Sequence, residues 1–188
     1  MSNGAATPLK SGVRLDKSAF SSAGSMSFWF NVDVLEGGNY VVAAQNLNIL
    51  GENDSTISVF NDVPVARGKS VSANTWNHVA VTWDDATTSF DVYLNGVSVG
   101  SSDSAATVMD AGWATFNLGT YDAGDNDNNI ANSFIGEIYD VQIYDNVLSS
   151  TDVANLSNNA GSVIPEPATI GMLGLGAVLT LLVRSRLC

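Results

Sequence analysis

Between Ser25 and Tyr144 the apolar residues recur at every second position, a period that admits strands with one buried face and little else. In SMSFWFNVD, Phe28, Phe30 and Val32 fall on one side and Ser27, Trp29 and Asn31 on the other. NYVVAA, STISVF and WNHVAVTW follow, and in SFDVYLNGVSVG Phe90, Val92 and Leu94 oppose Asp91, Tyr93 and Asn95. Asn95-Gly96 is the strongest hairpin signal, because both residues tolerate the positive φ of a type I′ turn. WATFNLGTY and NSFIGEIYDVQIYD read as further strands, separated from the others by turn clusters such as EGGN, GEND, DDATT and DAGDNDNN. Only LSSTDVANLSNN has a helical pattern, with Ser149 or Ser150 as N-cap and Val153 and Leu156 on one face. Many short strands and one closing helix predict an all-β antiparallel sandwich or barrel.

The long last strand changes phase. Phe134 and Ile138 share one parity, Val141 and Ile143 the other. If all four are core, the alternation slips near Tyr139 and Asp140, as a β-bulge makes it do, and Asp140 is re-aimed. A strand buried on both faces is the alternative.

Charge removes one class of function. The 19 acidic residues outweigh 7 basic ones, and Lys10, Arg14, Lys17, Arg67 and Lys69 are scattered, so no patch for nucleic acid is expected. Cys188 is the one cysteine and the last residue, which excludes an intramolecular disulfide, a cysteine zinc cluster and a thiol nucleophile within the domain.

The end of the chain is of another kind. VIPEPATIGMLGLGAVLTLLVRSRLC joins a Pro-Glu-Pro segment to 16 uncharged, mostly apolar residues, 168–183, and a basic end with Arg184 and Arg186. Pro165 and Pro167 hold the chain extended and stop a helix from entering out of the domain. Sixteen helical residues reach about 24 Å, short of the roughly 30 Å hydrocarbon core, so length alone gives a marginal span. The run has no polar face, and its arginines belong on the cytoplasmic side, which puts the domain outside.

Three stretches carry a resemblance. SMSFWFNVD, NTWNHVAVTWDDATTSFDVYLNGVSVG and FIGEIYDVQIYDNVLSSTDVANL together resemble laminin G-like, concanavalin A-like jelly rolls of bacterial surface proteins, over roughly residues 10–158. Trp76 to Trp83 looks like the family's W-x-H-V-A-V-T-[WY] strand, Tyr93 to Gly96 like its hairpin, and Phe134 to Ser149 like its closing strand and helix start. The resemblance implies a jelly-roll sandwich of two antiparallel sheets with about six strands each. It also implies a structural calcium that the residue matching Asp140 helps to hold with oxygens from N-terminal strands. The front departs from the pattern: MSNGAATPLK has no secretory apolar run, and the one or two strands that the family places before Gly12 are missing, which implies a chain truncated at its front.

The tail is similar to the PEP-CTERM sorting signal of Gram-negative bacteria, with Val163, Ile164, Pro165, Glu166 and Pro167 as its box and Arg184 and Arg186 as a short basic end. This implies an exosortase as processing partner. It also implies a chain tethered to the inner membrane before processing, then placed at the cell surface or in an exopolysaccharide or biofilm matrix. An ordinary tail anchor is the alternative. The organisation expected is a jelly roll over 1–158, a linker over 159–162, and the sorting signal over 163–188 with a transmembrane helix at 168–183.

Carbohydrate-active chemistry divides into turnover and binding. Jelly rolls that hydrolyse β-glucans need two carboxyls about 5 Å apart. Glu137 and Asp140 are the nearest approach; three apart on a regular strand they point to opposite faces, a bulge could restore their parity, and no third carboxylate follows. His78 has no serine or cysteine motif beside it and reads as structural. Binding is the preferred reading, with Trp29, Tyr93, Trp113 and Tyr121 as candidate exposed rings for stacking, although aromatics in a sandwich are more often core. The loop Asp122 to Asn129, with Asp122, Asp125 and Asp127, is dense enough in oxygen for calcium but lacks EF-hand spacing, so a solvated turn competes with a metal site. The expectation is thus a non-catalytic, exported adhesion or polysaccharide-binding module, with a glycoside hydrolase-like jelly roll or a purely structural matrix protein without a defined ligand as alternatives.

Overall fold

In a computed structural model, residues 12–16, 20–33, 39–43, 46–52, 56–61, 63–103, 115–120 and 134–162 are described. Among them the strands are β1 (Val13–Asp16), β2 (Ala23–Val32), β3 (Tyr40–Ala43), β4 (Leu47–Gly51), β5 (Thr56–Asn61), β6 (Val63–Ser70), β7 (Trp76–Asp84), β8 (Ser89–Leu94), β9 (Val97–Ser102), β10 (Thr115–Leu118) and β11 (Gly136–Tyr144). One helix, α1 (Ser150–Asn158), closes the domain. Two antiparallel sheets form, ordered β1-β10-β3-β4-β5-β6 and β11-β2-β7-β8-β9, so the expected sandwich is present with six and five strands.

Alternation explains the packing. Phe28, Phe30, Val79, Val81, Trp83, Phe90 and Val92 from the five-stranded sheet meet Leu47, Ile49, Ile57, Val59 and Phe116 from the other, all buried. Each large side chain so buried contributes about 1.5–3 kcal/mol. The Trp83 indole donates to Ser21 O at 3.0 Å, which removes the cost of burying its one polar atom. Asn95 and Gly96 close β8 onto β9 with φ of +50° and +78°, the two positive values a type I′ turn needs.

A second apolar layer lies on the outer face of the five-stranded sheet, where Ala80, Tyr93 and Tyr144 pack with Leu148, Val153 and Leu156. Ser149 caps α1: its Oγ accepts from Asp152 N at 3.2 Å, and Asp152 Oδ2 accepts from Ser149 N at 3.2 Å. Ser25, fully buried on β2, donates to Asn146 O at 2.9 Å and accepts from Leu148 N at 2.8 Å, tying the sheet to the chain that enters the helix.

The phase change in β11 is a bulge. Tyr139 pairs with Trp29 and Gln142 with Ser27, so Asp140 and Val141 both stand opposite Phe28. Asp140 absorbs the extra residue at φ +54°, a left-handed conformation that Asp tolerates better than most residues. Phe134, Ile138 and Ile143 pack on the core as expected. Val141 does not join the buried core: it is 37% exposed and lines the open cleft between β11 and the β1–β10 edge.

Among the described residues no helix is long and apolar enough to cross a membrane, and the expected span at 168–183 lies outside them.

Candidate functional site

The register lays out two rows of side chains on the outer face of the five-stranded sheet, at the end that α1 leaves open. Glu137, Asn31 and Trp76 form one row across β11, β2 and β7; Tyr139, Trp29 and His78 form the next. Trp76 and Tyr139 reach diagonally over β2 until their rings meet edge to face, centroids 6.1 Å apart and planes at 67°. They stay open to solvent, at 42% and 53% exposure. Below them Trp29 stands edge-on to His78, centroids 5.3 Å apart.

Polar atoms in these two rows are left over. Trp29 Nε1, Asn31 Oδ1 and His78 Nδ1 are buried without a hydrogen-bond partner, and each such group costs about 1–3 kcal/mol. Burial pushes the His78 imidazole down from 6.5 to about 4, against the pull of the Asp140 carboxylate in the other direction. His78 is therefore neutral and structural, as its strand position implied.

The bulge aims Asp140 at the chain beyond the helix. Its Oδ2 accepts from Gly161 N at 2.7 Å and its Oδ1 from Gln142 Nε2 at 2.8 Å. Gln142 Nε2 also donates to Ser162 O at 2.7 Å, while Tyr144 OH donates to Gln142 Oε1. Both Asp140 oxygens are thus occupied by amide N–H groups, and among the described residues no three of His, Cys, Asp and Glu gather as a metal site. Asp122, Asp125 and Asp127 lie outside the described residues, as do Val163, Ile164, Pro165, Glu166, Pro167, Arg184 and Arg186.

The candidate aromatics follow the core alternative more than the exposed one. Tyr93 is buried under α1, where it completes the second apolar layer, and Trp29 is half-buried beneath the Trp76–Tyr139 pair. Trp113 and Tyr121 lie outside the described residues. The pair that is exposed, Trp76 and Tyr139, was hidden in the sequence because both sit in motif positions that read as framework. A cross-strand map, obtainable from the hairpin and the bulge, is the signal that would have joined them.

One apolar cleft of about 240 Å³ opens between the β1–β10 edge and β11, lined by Gly12, Val13, Leu118, Gly119, Phe134, Gly136, Ile138 and Val141. Among the described residues its lining has no hydrogen-bonding side chain, and its polar atoms are backbone.

Two stacked antiparallel sheets with a helix laid on one outer face define the chain as a jelly-roll sandwich module. It belongs to the concanavalin A-like lectin/glucanases superfamily, whose model matches residues 5–154. The PEP-CTERM protein-sorting motif matches residues 163–186, which marks the chain for export and for sorting by an exosortase, as is typical of Gram-negative bacteria. Among solved structures it is similar to domain 4 of AbnA, an extracellular GH43 arabinanase from Geobacillus stearothermophilus in complex with arabinotriose (23% identity, TM-score 0.61, covering 78% of this chain and 72% of that one). It is also similar to the native heptameric SAP-like pentraxin of Limulus polyphemus (15%, 0.60, 77% and 73%). A third likeness is to the CBM40 of the Ruminococcus gnavus IT-sialidase bound to α2,3-sialyllactose (13%, 0.56, 79% and 97%). At these identities the likeness is one of fold. No curated protein matches.

Proposed function

We propose that this chain is an exported, non-catalytic carbohydrate-binding module that attaches to polysaccharide at the cell surface or in the extracellular matrix. The observation that carries the reading is the Trp76–Tyr139 pair: two half-exposed rings held on a rigid sheet offer apolar faces to the C–H groups of a pyranose, beside the exposed Glu137 carboxylate as a hydroxyl acceptor. A net charge of −12, with Glu137 next to the pair, favours a neutral glycan over a polyanionic one. The sugar-bound arabinanase domain and sialidase module support the reading by fold analogy.

Turnover is disfavoured by the fate of Asp140, whose carboxylate serves as a hydrogen-bond acceptor within the fold rather than as a partner for Glu137. Calcium is a separate proposal, for Asp140 and for Asp122, Asp125 and Asp127 with the oxygen-rich composition of their loop. Membrane attachment through 168–183 before processing is likewise proposed from the tail's hydropathy. Pull-down of the soluble fragment 1–162 on insoluble neutral and acidic polysaccharides tests the binding reading. Retention on at least one neutral polymer is expected, and clean passage through all of them would remove it.

A further inference from the structure

The sorting motif begins at Val163, one residue beyond a point where the chain is bolted to the domain. Gly161 N donates to Asp140 Oδ2 at 2.7 Å, and Ser162 O accepts from Gln142 Nε2 at 2.7 Å. The same Gln142 Nε2 donates to Asp140 Oδ1, and its Oε1 accepts from Tyr144, so the carboxamide is engaged at both ends. The β11 bulge turns Asp140 toward this segment, in a left-handed conformation at φ +54°. Backbone strain of that kind costs about 1–3 kcal/mol and persists where the surroundings hold it.

We propose that Asp140 and Gln142 are positioning residues for the sorting reaction: they clamp Gly161 and Ser162 so that a processing enzyme cannot extend its pairing upstream of Val163. This rests on processing of the chain at its PEP-CTERM signal. A processing enzyme that takes its substrate as an extended strand needs unpaired N–H and C=O groups along it. At Gly161 the N–H and at Ser162 the C=O are already used, so the enzyme meets the Val-Ile-Pro-Glu-Pro box and nothing upstream of it. The clamp also keeps the box within five extended residues of the domain wall, a reach of about 17 Å. Released, the chain beyond the Asn159 cap would keep only the turn bond from Ser162 N to Asn159 O at 3.0 Å, and the box would be one part of a longer accessible stretch.

D140G and Q142L open the clamp without removing the bulge, since Gly adopts left-handed φ freely and carries no acceptor, while Leu keeps the size of Gln but has no amide. The full chain, held in a detergent without a sugar headgroup, is digested briefly with proteinase K and its trimmed C-terminus is read by intact mass. Wild type should stop at or beyond Ser162; the double variant should be trimmed to Asn158 or Asn159, with its melting temperature otherwise within a few degrees. Identical ends in the two proteins would overturn the clamp. Co-expression with an exosortase then reads fidelity: one mature end is expected for wild type and additional upstream ends for the double variant. A single shared end would overturn the positioning role. A wild-type chain left uncut by the exosortase would instead remove the processing reading, with the proteinase K arm still deciding the clamp.

Discussion

The Trp29 indole stands edge-on to the His78 imidazole across the β2–β7 pair, ring centroids 5.3 Å apart, and His78 Nδ1 finds no hydrogen-bond partner beneath that cover. A buried imidazole in this setting resists protonation, and its value falls from 6.5 to about 4.

That gives a pH dependence with a definite sign. The native state binds the His78 proton less readily than the unfolded chain, so stability from this group is complete above pH 6.5 and declines as pH falls toward 4. The loss amounts to about 3 kcal/mol, then levels off. Urea titrations between pH 7 and 4 should show this slope as the difference between wild type and H78Q, whose own curve carries only the carboxylates. Parallel curves would show that His78 titrates normally.

Ser25 makes two hydrogen bonds to Asn146 O and Leu148 N while fully buried. S25A leaves both backbone groups without a partner and should cost about 2–4 kcal/mol. It should also raise the amide exchange of α1 ahead of that of β7. A loss under 0.5 kcal/mol would mean that solvent replaces the hydroxyl at no cost.

Gly96 has φ +78°, and a Cβ there would press on the Ser157 hydroxyl of α1. G96A should destabilise by about 1–3 kcal/mol in chemical denaturation, part of it recovered in G96A/S157A, where the obstructing oxygen is gone. No recovery would assign the whole cost to the backbone.

Calcium is tested apart from these. If the loop holding Asp122, Asp125 and Asp127 binds the ion, EDTA lowers the melting temperature of the full chain and added calcium restores it, because a ligand held only by the folded state stabilises it. An unchanged melting temperature removes the proposal.

Most of the framework was legible because its physics is local. Alternation marked β2, β7 and β8; Asn95-Gly96 marked the hairpin; and the parity break between Ile138 and Ile143 marked the bulge at Asp140. β1, β4 and β6 went unassigned. β1 is four residues long, β4 is flanked by turn-forming residues, and β6 carries Pro64, Arg67, Gly68 and Lys69, the marks of an edge strand that resemble a loop. The site was harder to read, because it depends on which strands become neighbours. Trp76 and Tyr139 are far apart in sequence and meet only because β11 and β7 flank β2, whereas Tyr93 is buried because α1 returns across the sheet. The partners of Asp140 depend on the same return, which no spacing rule contains.

The central claim is tested most directly by tryptophan fluorescence of the 1–162 fragment, titrated with oligosaccharides from whichever neutral polymer retains it, for wild type and W76A/Y139A. The account predicts a saturable change in wild type and at least a tenfold weaker affinity in the double variant, about 1.4 kcal/mol or more, with both proteins folded by circular dichroism. Equal affinity in the two proteins would contradict the assignment of the aromatic pair, and no saturable change with any glycan would contradict the binding function itself.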